Sequence, residues 1–122
     1  MNADERETIV AALAVAFGPA EDVSPAPDQP LHVLVHAAEL PGPWTSPARA
    51  LLRFTDWPKT RPEFFIDRSV VNAAGDPPRS SSEQAILGGS WRQFSFGFPW
   101  AEDGADPVRA VQLWLTRFSE PT

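Results

Sequence analysis

The sequence predicts an α+β fold: an N-terminal helix, an antiparallel sheet of about four strands, an irregular flap and a C-terminal helix. Three observations lead there. Apolar residues recur at helical spacing near each end of the chain, next to residues that cap helices. Between them lie runs of β-branched and aromatic residues broken by proline-rich corners. Five Trp and eight Phe among 122 residues, with 43% apolar residues in all, supply enough buried area for a packed core. A chain of this length is read as one domain spanning residues 1–122.

The first helix begins at Asn2, a capping residue with Glu5 three positions on. Asp4 and Glu5 suit the positive end of the helix dipole. Ile9, Leu13, Ala16 and Phe17 fall on one face, and Gly18-Pro19 ends the helix. Residues 19–30 carry four prolines and read as a surface loop. Leu31 to Ala37 is a strand, followed by the turn Leu40-Pro41-Gly42-Pro43-Trp44. Ala48 to Phe54 and Glu63 to Asp67 are the next two strands, joined by Trp57-Pro58-Lys59-Thr60-Arg61-Pro62. Residues 69–90 read as a flap or loop, with a short ordered piece around Ala85-Ile86-Leu87 and a turn at Gly88-Gly89-Ser90. A strand is expected from Trp91, stopping early because of Gly97 and Pro99. Asp106-Pro107 starts the last helix, since Asp caps and proline at the first position forfeits no hydrogen bond. Val108, Val111, Leu115 and Phe118 mark its buried stripe, with Trp114 beside it.

Composition excludes several functions. A net charge of -6 with scattered basic residues disfavours nucleic acid and anionic membrane surfaces. The apolar run Ile9 to Phe17 is too short to span a bilayer and follows acidic rather than basic residues, so a cytoplasmic protein is expected. Zero cysteines rules out disulfides, thiolate metal sites and thiol catalysis.

The second half of the chain resembles the ubiquitin-conjugating enzyme (E2, UBC-like) fold. Leu51 to Pro58, followed by Arg61-Pro62-Glu63-Phe64-Phe65, is similar to the E2 stretch in which a strand meets an aromatic-Pro corner, then a second proline, then the next strand. Trp100 before the helix from Val108 to Phe118 resembles the E2 tryptophan that precedes a helix behind the active site, and Ser119-Glu120-Pro121 resembles that helix's end. Leu40-Pro41-Gly42, Gly89-Ser90-Trp91-Arg92-Gln93-Phe94-Ser95 and Pro99-Trp100 are similar to the layout of divergent prokaryotic E2-like proteins. The chain departs from the family in lacking the catalytic cysteine and the His-Pro-Asn tripeptide. Phe96 and Gly97 also follow Ser95, where the prokaryotic group tends to have a basic residue and a His.

The resemblance implies a cysteine-free E2-like protein of a bacterial ubiquitin-like conjugation system. Its partners would be a ubiquitin-like modifier, an E1-like activating enzyme or another E2-like subunit. The alternatives are an active E2-like transferase using a serine oxyester, or a generic protein-binding adaptor. Ser90 and Ser95 lie where the family places its acceptor and are the candidate nucleophiles; each would need a base and oxyanion donors, or else is a loop serine. Trp44, Trp57, Trp91, Phe96 and Trp100 are the candidate partner-binding residues, since exposed aromatics anchor interfaces. The dense set from Trp91 to Trp100 equally suits packing against the last helix. Phe94, Phe96 and Phe98 share strand parity.

No metal site or cofactor is expected. His32 and His36 lie roughly 13 Å apart on a strand, too far for one ion, and read as solvent-facing or locally bonded. Glu63 and Asp67 have a similar separation, unlike a glycosidase pair, and read as a solvated strand face. Gly88-Gly89 lacks the lysine of a phosphate loop.

Overall fold

The structure, a computed structural model, describes residues 1–78, 81–94 and 98–119. Helix α1 (Ala3–Phe17) starts and stops where its caps predict. The Asn2 side chain accepts from the Glu5 amide at 2.8 Å, satisfying one orphan donor. Gly18, at φ +88°, donates its N–H to the Ala14 carbonyl and closes the last turn. Ile9 and Leu13 are buried and Phe17 packs against the core. Ala16, expected on that face, is exposed, and Arg6 is buried one turn before Ile9.

Among the described residues the sheet has six strands, not about four. They are β1 (Ala20–Asp22), β2 (Leu31–Ala38), β3 (Ala48–Phe54), β4 (Glu63–Asp67), β5 (Ser81–Ile86) and β6 (Gly89–Phe94), in the order β1-β2-β3-β4-β6-β5, antiparallel throughout. Both extra strands come from segments whose sequence reads as loop. β1 is Ala-Glu-Asp, poor in β-formers, and is a strand because it pairs with β2, Ala20 opposite Val35. β5, inside the expected 69–90 flap, is Ser-Ser-Glu-Gln-Ala-Ile and owes its structure to β6. The turn between them is Leu87-Gly88, both at positive φ, the two-residue hairpin geometry. Gly89 and Ser90, expected in that turn, already belong to β6.

The register gives β2, β3 and β4 two buried faces. Val33 lies opposite Leu52, and Leu52 opposite Phe64; this row, with Leu31, Val35, Phe54 and Ile66, meets both helices. The other face carries a second cluster of Leu51, Phe65, Ile86 and Trp91, with Leu34 and Val23 against it. Burial on both sides explains why Leu51-Leu52 and Phe64-Phe65-Ile66 are unbroken apolar runs rather than alternations.

Helix α2 (Pro107–Ser119) is capped as expected: Asp106 Oδ1 accepts from the Val108 and Arg109 amides at 2.8 and 3.2 Å. Its buried centre is Ala110, Val111 and Trp114, while Val108 and Leu115 are half-buried at the margin. Trp114 therefore heads the stripe rather than flanking it. No helix among the described residues is long and apolar enough to cross a membrane.

Candidate functional site

Eight residues, 55–62, turn the chain from β3 into β4. The Thr60 amide bonds to the Asp56 carbonyl at 3.0 Å, and the Trp57–Pro58 peptide is cis. The carbonyls of Pro58 and Pro62 each receive an indole. Trp100 Nε1 donates to the Pro58 carbonyl and Trp114 Nε1 to the Pro62 carbonyl, both at 2.9 Å. Burying an indole N–H without a partner is unfavourable, so these bonds fix where both rings sit.

The rings then order one another. Trp57 stands edge-on to Phe54 (centroids 5.2 Å, 82°) and lies 5.4 Å from Trp100. Phe98 is edge-on to Trp114 (5.2 Å, 81°), and Trp114 stacks on Phe64 at 5.9 Å. The Arg61 guanidinium lies over Phe98 and Trp114, 5.4 and 5.9 Å from their centroids. Trp57 and Trp100 remain half-buried, so their outer edges reach the surface. Beside Trp57 is a cavity of about 440 Å³ lined by Arg6, Asp28, Gln29 and Asp56 among others.

Of the other candidate aromatics, Trp91 belongs to the second cluster, away from this corner. Trp91 is 5% exposed on the helix-free face of the sheet, with the Arg49 guanidinium 5.2 Å from its ring centroid. Trp44 is half-buried against the main core in the loop between β2 and β3. Phe96 and Ser95 lie outside the described residues. Phe98 packs in the core.

Ser90 is exposed on β6 opposite Ala85, and its hydroxyl makes no hydrogen bond to a described residue. Both histidines lie on β2, separated from β6 by β3 and β4 in the sheet. His32 is buried with Nδ1 2.8 Å from the Pro30 carbonyl, and exposed His36 places Nε2 2.9 Å from Glu21. Among the described residues, no group of three or more His, Asp or Glu side chains is placed to hold a metal ion.

Glu63 and Asp67 differ from the solvated face expected of them. Arg53 grips Glu63 with a two-pronged pair of bonds at 2.9 and 2.5 Å, and Thr55 and Gln93 add two more. The Arg53 hydrogen bond holds the Glu63 carboxyl below its usual range, against the opposing pull of burial, and Glu63 in turn raises Arg53. Burial pushes Asp67 up, but the Ser69 amide and hydroxyl and Arg49 outweigh it and leave the carboxyl lowered. Arg53 lies 5.1 Å above the Phe65 ring, so the two arginines roof the second cluster.

Neither arginine is among the residues expected from the sequence to form a site. A signal existed: Arg49 and Arg53 share strand parity, as do Glu63 and Asp67, and Arg53 pairs with Glu63 across the register. Arg6 was also legible, at three and seven positions before Ile9 and Leu13 on the same helical face.

No protein-family model matches the sequence, and no curated protein or solved structure matches the chain.

Proposed function

We propose that the protein is a cysteine-free, UBC-like scaffold that serves as a binding subunit in a bacterial ubiquitin-like conjugation system. It would engage a ubiquitin-like modifier, an E1-like activating enzyme or another E2-like subunit in the cytoplasm. The observation that carries this reading is the corner at Trp57-Pro58 and Pro62, with its two carbonyls bonded to Trp100 and Trp114. Trp57, Pro58, Pro62 and Trp100 are residues on which the E2 likeness rests, and they meet around this corner. The order of helix, antiparallel strands, corner, late tryptophan and helix supports it too. Without cysteine no thioester forms, and the half-buried faces of Trp57 and Trp100 are suited to anchoring a partner.

The test is titration calorimetry against a ubiquitin-like protein and an E1-like enzyme encoded beside this gene. Binding with a Kd on the order of 1 μM, weakened at least about tenfold by Trp57→Ala, is the expected result. Failure to bind either protein overturns the reading.

A further inference from the structure

We infer that strand β5 is a docking edge for an extended, basic segment of a partner protein. The inference rests on the β-ladder alone and is independent of the proposal above. β5 ends the sheet, with β6 on one side. In a hairpin closed by a two-residue turn, the closing pair exchanges hydrogen bonds and every second pair follows suit. Here the closing pair is Ile86 and Gly89, followed by Gln84 with Trp91 and Ser82 with Gln93. The main-chain groups of Glu83 and Ala85 therefore point away from β6, and no described residue takes them.

Edges of this kind are usually blunted by shortness, proline, bulges or charge. The opposite edge, β1, is only three residues long. β5 has six residues, an unshifted register, no proline, and four consecutive exposed residues from Ser82 to Ala85. Its one charge, Glu83, faces Arg92 at 3.7 Å. At its end, Leu87 sits at φ +51°, in a turn position that favours Asn or Gly, and remains 49% exposed. Leu87 borders a cavity of about 420 Å³ whose apolar walls include Val23, Leu34 and Trp91.

Only an extended backbone offers both N–H and C=O at alternate residues to such an edge. Exposed Leu87, at the end of β5, would meet an apolar side chain of the docked segment. The net charge of -6 attracts a cationic segment and disfavours a second copy of the chain.

The experiment is fluorescence anisotropy of a labelled, end-capped nine-residue peptide alternating Lys and Val, titrated with the full chain. Saturable binding is expected. It should weaken about tenfold or more when the peptide is N-methylated at alternate residues, or when Ala85→Pro removes an outward N–H that β6 does not use. Leu87→Asn should weaken binding while raising the melting temperature. Amide shifts at Glu83 and Ala85 in the unsubstituted protein provide a readout that does not depend on how the variants fold. Equal binding of the N-methylated peptide, unchanged amide shifts, or a dimer abolished by Ala85→Pro would each overturn the inference.

Discussion

Trp100 donates its indole N–H to the carbonyl of Pro58, 42 positions earlier in the chain, at 2.9 Å. This bond ties the segment before α2 to the turn between β3 and β4, and so joins two parts of the chain that no β-ladder connects. Trp114 makes the equivalent bond to Pro62 from within α2.

Trp114→Phe should remove about 1–3 kcal/mol of stability, because the buried Pro62 carbonyl loses its donor. Trp100→Phe should cost less, since Pro58 is only half-buried and water can replace the indole. Urea denaturation of both variants checks the order; equal losses would contradict it.

Lowering the pH should weaken the fold through Glu63 and Asp67. Both carboxyls are depressed in the folded state, so the unfolded chain binds protons first as acid is added. Their contribution is complete above the ordinary values of 4.5 and 3.8, and disappears as the pH falls through the lower folded values. Thermal melts from pH 7 to 2.5 should show this loss, and Glu63→Gln should flatten part of it.

Gly89→Ala should be destabilising by roughly 1–3 kcal/mol, as expected of overpacking. A Cβ there would meet Trp91 Nε1 at 2.9 Å, and that indole is held between the second cluster and Arg49. Tryptophan emission should shift together with the loss of stability. The neighbouring Ser90→Ala, at an exposed position, should leave both unchanged.

Asp106→Ala should cost about 1 kcal/mol by uncapping α2, where Oδ1 serves two amides. Asp106→Asn should retain most of that stability. Chemical denaturation separates the two variants, and equal losses would argue against the cap.

Much of this architecture was legible locally. Asn2, Gly18 and Asp106 announce the helix limits because capping is decided within four residues. The three central strands announce themselves through apolar side chains. β1 and β5 do not, since their own residues are poor strand formers and the partner strand supplies the hydrogen bonds. The candidate site was half legible. Trp57 and Trp100 were singled out and do meet, whereas Trp91 turned to the opposite face of the sheet. Which face an aromatic residue covers depends on the register of its strand and on the layer packed against that face, and neither is written in its immediate neighbours.

The sandwiching of β2, β3 and β4 between two apolar layers has a consequence for evolution of the surface. Among the described residues little apolar surface of these strands is left wet, so new recognition arises most readily at the periphery, where bends, tips and unpaired rims are. Those places tolerate change because they bear little of the packing, and a family built on this frame would diversify its partners there while its centre stays fixed.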